Sequence, residues 1–219
     1  MALASLIPLS DYSLWHPTEL NQPQRDEANL AVIRIAVSGG PGAGKTTLWR
    51  TIAKTQRARV VAVPEVATML FSHVFPEVQC EDDRCAVQRS IFEVQRNLEQ
   101  IYERRLAADQ VLWCDRGTPD GAGYWPHGQQ HFFECMQTDW QVELARYDAV
   151  LFMESAAVGG LSIKSSNRTR IEDIQTASAL DERLKQVWQA HPRFVHVPHH
   201  SDFNVKLVRA RELAESLLK

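Results

Sequence analysis

Short apolar segments alternate with longer amphipathic segments over most of the chain. The apolar segments are predicted strands, and they are Val32–Val37, Val60–Val63, Val111–Cys114, Ala149–Met153 and Phe194–Val197. Continuous apolar runs that are separated by helical stretches are typical of a parallel sheet with helices on both faces. The pattern therefore predicts an α/β fold around a five-stranded parallel sheet.

The segments between these strands repeat apolar residues every three or four positions, which indicates helices that pack one face on the sheet. The longest run places five residues on a common face: Val87, Ile91, Val94, Leu98 and Ile101. A coiled coil is the alternative, but the run covers only about two heptads, so packing on the sheet is favoured. Further helices are predicted at Val66–Phe75, Leu180–Ala190 and Val205–Leu218.

The first 29 residues differ from the rest because they show no sustained period. Pro8, Pro17 and Pro23 interrupt them, and prolines mark loops and turns. We interpret residues 1–29 as an N-terminal extension and residues 30–219 as one domain, since a chain of this length can bury a single core. The oligomeric state stays open, with a dimer possible.

A glycine-rich segment joins the first predicted strand to a helical pattern and fits G-x-x-x-x-G-K-[ST]. The residues expected to bind a nucleotide there are Gly39, Gly40, Pro41, Gly42, Ala43, Gly44, Lys45, Thr46 and Thr47. In this motif the backbone N–H groups surround phosphate oxygens, the lysine contacts the terminal phosphates and the hydroxyl binds Mg²⁺. The motif predicts binding of a nucleoside triphosphate, ATP with Mg²⁺, with Lys45 expected on an exposed loop and Thr46 as a metal ligand.

The composition excludes several classes of protein. A formal charge of −3 and the lack of a long lysine or arginine run give no general attraction to nucleic acid, so no such partner is expected. The apolar runs are far shorter than the roughly 20 residues that cross a bilayer, which argues against a membrane protein. The cysteines lack the paired spacing of a zinc or redox site, and the first residues lack an export signal. We expect a cytoplasmic protein.

Polar segments follow three of the predicted strands, at the sheet edge where open α/β proteins bind ligands. They are Pro64–Glu65, Cys114–Gly117 and Asn167–Glu172. Together with the glycine-rich loop they resemble the P-loop kinase group. The similarity is to small AAA-type ATPase domains like nicotinamide riboside kinase and, more distantly, to deoxynucleoside and thymidylate kinases. It extends over about Ile33–Leu218.

This resemblance implies roles for the residues after the second and third strands. Glu65 is expected to act as general base or as a ligand of the acceptor hydroxyl. Its alternative role is that of a solvated carboxylate at a helix start, which the helix dipole favours. Asp115 is expected to hold Mg²⁺ through water or to share the base role, and Arg116 to contact a phosphate. A buried structural ion pair is the alternative for Asp115 and Arg116.

The resemblance also implies a lid at about residues 158–178, whose Arg168 and Arg170 would contact the triphosphate. Arginine suits this role because its planar group pairs with phosphate oxygens, although solvated surface arginines are the alternative. The segment Gly117–Trp125 is expected to form a loop over a planar ligand. Its Tyr124 and Trp125 would then either contact that ligand or pack in the core.

The activity that the resemblance implies is an ATP-dependent phosphotransferase, that is, a kinase, acting on a small-molecule acceptor. Nucleosides, nucleotides and cofactor precursors are the candidate acceptors. The alternative is an ATP or NTP hydrolase, or a nucleotide-dependent regulatory switch. Motor-type ATPases usually have a Glu directly after the metal-binding Asp, where this chain has Arg116, and the base-reading motif N-K-x-D of GTPases is missing. Both observations favour the kinase.

Overall fold

The computed structural model describes residues 32–160 and 174–218 and contains a five-stranded, entirely parallel sheet with the order β2-β3-β1-β4-β5. The strands are β1 (Ile33–Ser38), β2 (Val60–Val63), β3 (Val111–Asp115), β4 (Ala149–Met153) and β5 (Phe194–Val197). The predicted fold class is confirmed. β1 lies one residue further along the chain than predicted, and β3 includes Asp115.

Helices cover both faces of this sheet. They are α1 (Lys45–Thr55), α2 (Val66–His73), α3 (Glu81–Glu103), α4 (Asp120–Tyr124), α5 (Gln129–Cys135), α6 (Trp140–Leu144), α7 (Ile174–Trp188) and α8 (Phe203–Leu217). α1 and α8 contribute to the apolar core on one face, whereas α3 to α7 contribute to the core on the other. Three helices have bounds that differ from the predicted ones: α2 ends at His73, α7 starts at Ile174 and α8 starts at Phe203.

The strands supply both cores by alternation. Ile35 and Trp113 face the core under α1 and α8, while Ala36, Leu112 and Cys114 face the other. Neighbouring residues of one strand thus point to opposite faces and are buried on both. This double burial explains why the strands read as continuous apolar runs. Among the described helices, none is long and apolar enough to cross a membrane.

The apolar face predicted for α3 packs on the core only in part. Of the predicted residues only Val87 is fully buried, while the deepest positions further along the helix are Phe92, Gln95 and Glu99. The buried face is therefore rotated from the predicted one and carries polar groups. Burial of polar groups is tolerated only where hydrogen bonds compensate for lost water.

The hydrogen-bond partners of the buried polar groups of α3 come from the segment after α6 and from the residues that follow β3. The Glu99 carboxylate, which is fully buried, accepts hydrogen bonds from Arg146 at 2.6 Å and from the Tyr147 hydroxyl at 2.7 Å. It also accepts one from Gln95 at 2.9 Å. Burial and the Glu99 charge raise the pKa of Tyr147, so its hydroxyl stays protonated and also accepts from the Thr118 N–H at 2.8 Å. This network holds the start of the segment that follows β3.

That segment was expected to be a loop, and the expectation is wrong. It contains the short helix α4, whose glycines allow close packing: a side chain at Gly121 or Gly123 would collide with Phe132 or Leu184. Trp125 is only 4% exposed and packs in the core, whereas Tyr124 is half-buried. The glycines serve helix packing here, not loop mobility.

Candidate functional site

The loop between β1 and α1 has a backbone that only glycine adopts easily. Gly39, Gly42 and Gly44 have φ angles of +132°, +71° and +94°, in the region where L-residues are strained. At Gly39 a Cβ atom would also lie 1.9 Å from the Met153 carbonyl oxygen. α1 begins directly after Gly44, so its N-terminal N–H groups point towards the loop. This is the arrangement that binds phosphate groups.

Side chains from two other parts of the chain hold the loop from outside. The Asp181 carboxylate of α7 accepts a hydrogen bond from the Gly40 N–H at 2.6 Å and a second from the Ser155 N–H at 2.9 Å. The Ser155 hydroxyl in turn donates to the Pro41 carbonyl oxygen. Burial raises the pKa of Asp181, while these N–H donors act in the opposite direction. Nothing local in the sequence marked Asp181 or Ser155 as part of the site.

Lys206 of α8 holds the other end of the loop. Its ammonium, in a residue only 3% exposed, donates to the Ala43 carbonyl oxygen at 2.8 Å and to the Glu154 carbonyl oxygen. Burial lowers the pKa of this lysine from 10.5 to about 8. This contact could not be predicted from the sequence either, because a single lysine within an amphipathic helix is usually solvated.

The buried ammonium of Lys206 should make the stability of the protein depend on pH. The folded protein releases this proton near pH 8 and the unfolded chain near pH 10.5, so unfolding takes up a proton between these values. The free energy of unfolding should therefore rise with pH across this window, by on the order of 3 kcal/mol from this group. Denaturant titrations at several pH values should show a steeper rise in the wild type than in Lys206→Met. Parallel profiles would contradict the lowered pKa of Lys206 in the folded protein.

Lys45 is buried, although it was expected to be exposed. It is 8% exposed, and its ammonium donates to the carbonyl oxygens of Gly39 and Gly40 at 2.8 and 3.2 Å. The loop curves around the lysine, so the side chain lies inside the concavity that its own backbone forms. The ammonium thus occupies the position from which it can meet a bound phosphate.

Thr46 and Asp115 are the predicted metal ligands. Thr46 is exposed in the first turn of α1, and Asp115 is 6% exposed at the end of β3, in register with Val37 of β1. Both therefore lie at the edge of the sheet from which the loop between β1 and α1, which we call the phosphate loop, departs. A hydroxyl and a carboxylate are hard oxygen donors of the kind that Mg²⁺ prefers, so the residues fit the predicted ion.

Arg116 connects two carboxylates at this edge. Its Nε atom lies 3.1 Å from Glu65, and its NH1 atom lies 3.0 Å from Asp120. Its φ angle of +80° is rare for a residue with a side chain. Burial alone would lower the pKa of Arg116, but Tyr124 and the surrounding carboxylates outweigh it and raise the pKa. The guanidinium is a permanent, fixed charge.

Asp120 is a member of this cluster that the sequence analysis missed. It is 4% exposed, and it accepts hydrogen bonds from the Ser38 hydroxyl at 2.6 Å, the Gly117 N–H at 2.9 Å and the Trp188 indole at 3.1 Å. Arg116 lies before α4 and has a positive φ angle, so its contact with Asp120 is not a helical ion pair, and the prediction of a loop over Gly117–Trp125 offered no reason to expect it.

Glu65 is the second residue after β2 and the N-cap of α2, so it lies after the second strand as predicted. Since β2 pairs with β3, Glu65 and Asp115 lie at adjacent strand ends. One Glu65 oxygen contacts Arg116, and the other accepts from the Thr68 hydroxyl at 2.5 Å. The Glu65 side chain is 17% exposed and lines the space in front of the sheet.

That space is a cavity of about 790 Å³. Pro41 of the phosphate loop, Glu65 and Arg116 line it together, and α2, α3, α4 and α7 form its walls. The volume is within the range of sites for small organic molecules. Tyr124 lines it as well, which fits a ligand contact, whereas Trp125 does not.

The predicted lid arginines cannot be placed. Arg168 and Arg170 lie outside the described residues, so their roles stay predictions. Within the described ranges, no group of three or more His, Cys, Asp or Glu side chains could hold a metal ion.

Comparison with known proteins supports the fold. The sequence matches a protein family described as an AAA domain over residues 34–203. Two structures of the deoxyadenosine kinase from M. mycoides are similar, one with dCMP and a flexible dCDP bound and one with dATP bound. Each has a TM-score of 0.54 and 12% identity and covers 84% of this chain, with 100% and 99% of the kinase chain covered. No curated protein matches the sequence. At such identity the likeness confirms the predicted P-loop kinase fold alone.

Proposed function

We infer that this chain, which belongs to the AAA domain family, is an ATP-dependent kinase that phosphorylates a hydroxyl group of a small molecule. The observation that carries the inference is that Glu65 and Pro41 of the phosphate loop line one cavity of about 790 Å³. A carboxylate beside a phosphate loop is placed to take a proton from an attacking hydroxyl. A hydrolase needs room only for water, so the volume of the cavity favours an organic acceptor.

The charges near the phosphate loop favour a hydroxyl over a phosphate as the accepting group. Glu65 and Asp120 both pair with Arg116, and Asp115 is the residue before it. Three carboxylates thus surround one guanidinium, and a phosphate acceptor brought there would be repelled. Among the candidate acceptors, nucleosides and cofactor precursors can bring a neutral hydroxyl to the part of the cavity beside Arg116. They fit this place better than nucleotides that would bring a phosphate there.

The proposed reaction assigns one task to each group. The acceptor oxygen attacks the γ-phosphorus, Glu65 takes the hydroxyl proton, and the bond from the γ-phosphorus to the bridging oxygen breaks to release ADP. Lys45 neutralises charge on the phosphates, and Arg116 fixes the Glu65 carboxylate. Arg168 and Arg170 of the lid are proposed to contact the triphosphate. Such a reaction depends mainly on positioning and electrostatic stabilisation.

Thr46 and Asp115 are the residues that would hold Mg²⁺, Asp115 through water. The ion supplies neutralisation of the β- and γ-phosphate oxygens when it is bound. Asp115 is almost completely buried at the end of β3, so its position is fixed by the sheet and does not depend on a mobile loop.

A screen for ADP release tests the proposal. Neutral hydroxyl compounds, among them nucleosides and cofactor precursors, are offered beside their monophosphates, and product mass is measured. We expect ADP release that depends on a hydroxyl compound and a product heavier by one phosphoryl group. ADP release at the same rate without an acceptor would instead support the hydrolase or the nucleotide-dependent switch.

A further inference from the structure

The carboxylate of Glu65 lies at the start of α2 but does not cap this helix. Glu65 is the N-cap residue of α2, which lies wholly within residues 32–160, and its side chain makes no capping hydrogen bond there. An acidic side chain at an N-cap ordinarily accepts from a backbone N–H two or three residues later. The Glu65 carboxylate instead accepts from the side chains of Arg116 at 3.1 Å and Thr68 at 2.5 Å. These two contacts replace the capping contact.

Thr68 also differs from most hydroxyl residues in the helices of this chain. Such hydroxyls commonly donate to a backbone carbonyl oxygen of the preceding turn. Four helical side chains in the described residues do so: Thr51, Thr55, Ser72 and Ser90. The Thr68 hydroxyl donates to the Glu65 carboxylate instead. A hydrogen bond to an ionised group is roughly twice as strong as one between neutral groups, which explains this choice of partner.

The two donors hold different oxygens of the same carboxylate. Arg116 donates to Oε1 of Glu65, and Thr68 donates to Oε2. Donors on both oxygens oppose rotation of the carboxylate about its last side-chain bond. An ionised carboxylate has about four acceptor positions, so it can be held in this way and still take a proton. Glu65 and Thr68 both line the cavity, so the orientation is fixed on the side where the acceptor is proposed to bind.

We propose that Thr68 is a positioning residue for the reaction, whose hydroxyl keeps the Glu65 carboxylate turned to the acceptor and away from the N–H groups of α2. The inference rests on the proposed kinase function and adds a residue to it. Arg116 holds only one oxygen, so without the hydroxyl the carboxylate can turn about that contact. The N–H groups of the first helical turn are then the donors that a carboxylate at an N-cap ordinarily binds.

Thr68→Val tests this inference, because valine keeps the branched shape and removes the hydroxyl. With the acceptor that the ADP-release screen identifies, kcat should fall about tenfold, since a displaced reacting group slows a reaction steeply. KM for the acceptor and for ATP should change little, because the hydroxyl acts on the base and not on a ligand. Thr68→Ser retains the hydroxyl and should keep most of the activity.

Thr55→Val is the matched control. Thr55 is an exposed threonine in α1 that does not line the cavity, and its hydroxyl donates to a backbone carbonyl oxygen. This variant should keep the kcat of the wild type. An unchanged kcat in Thr68→Val, or an equal loss in Thr68→Val and Thr68→Ser, would overturn the inference.

A double-mutant cycle shows whether Thr68 acts through Glu65. The base is already absent in Glu65→Gln, so adding Thr68→Val should lower kcat by no more than about twofold further, because residues that act together are not additive. A loss of about tenfold in both backgrounds would mean that the two residues act independently. That result would overturn the inference as well.

The orientation of Glu65 can also be measured without turnover. Crystal structures of the wild type and of Thr68→Val, both with Mg·ADP, should show the carboxylate turned towards the first-turn N–H groups of α2 in the variant only. An unchanged orientation would overturn the inference whatever the activity. A turned carboxylate, together with no phosphorylation of any hydroxyl compound by the wild type, would instead contradict the kinase function and leave the contact between Thr68 and Glu65 as the one that sets this orientation.

Discussion

Replacing Lys45 by alanine should lower kcat by about a hundredfold to a thousandfold. Removal of one preorganised contact to a group that gains charge in the transition state typically costs about 2.7 to 4 kcal/mol. The contact is preorganised here, because the Lys45 ammonium is held against the Gly39 and Gly40 carbonyl oxygens inside the loop. The measurement is steady-state turnover with the acceptor that the ADP-release screen identifies.

The fold of Lys45→Ala should remain intact, because the strands and the two cores do not depend on this side chain. Circular dichroism and a thermal melt check this. Lys54→Ala is a matched control, since Lys54 is an exposed lysine on the same helix α1 and should keep full activity. An unchanged kcat in Lys45→Ala would refute the assignment of this loop as the one that binds the phosphates of ATP.

Local features of the site could be predicted from sequence. The strands, the phosphate loop and the positions of Glu65 and Asp115 follow from short runs of residues whose own preferences decide their structure. Gly39 is an example, because the chain turns there into a conformation that glycine alone adopts easily.

Contacts between distant residues could not be predicted in this way. Asp181 holds Gly40 from 141 residues away, and Lys206 holds Ala43 from 163 residues away. Neither residue differs locally from a solvated residue on the surface of a helix. Their role in shaping the loop appears only when the sheet has brought α7 and α8 beside it.

The error on α3 has a related cause. A hydrophobic period assumes that polar residues face water, yet Gln95 and Glu99 are buried more deeply than the half-buried apolar residue Leu98 between them. Their partners Arg146 and Tyr147 are about 50 residues further along the chain and were invisible to a periodicity argument. The same hydrogen-bond network holds the residues that follow β3. The buried polar face of α3, which the hydrophobic period did not predict, therefore also supports Arg116.

Glu65 and Asp115 lie at neighbouring strand ends, and different substitutions should separate their roles. Glu65→Gln should reduce transfer to the acceptor by about a hundredfold or more, because general-base catalysis is typically worth 10² to 10⁴ in rate. The amide oxygen can still accept from Arg116, so the geometry of the cluster should be kept. ATP affinity should therefore be close to that of the wild type.

Asp115→Asn should instead weaken ATP binding when Mg²⁺ is present and slow transfer to every acceptor, since Asp115 would help to hold the ion that would neutralise the β- and γ-phosphate oxygens. Glu77→Gln is the control for charge in the cavity, because Glu77 lines it but is not a partner in the Arg116 ion pairs with Glu65 and Asp120. Calorimetry of ATP with and without Mg²⁺, together with acceptor-dependent turnover, distinguishes the three variants. Full transfer activity in Glu65→Gln would show that Glu65 is not the base, and the role would then pass to Asp115, the neighbouring carboxylate at the end of β3.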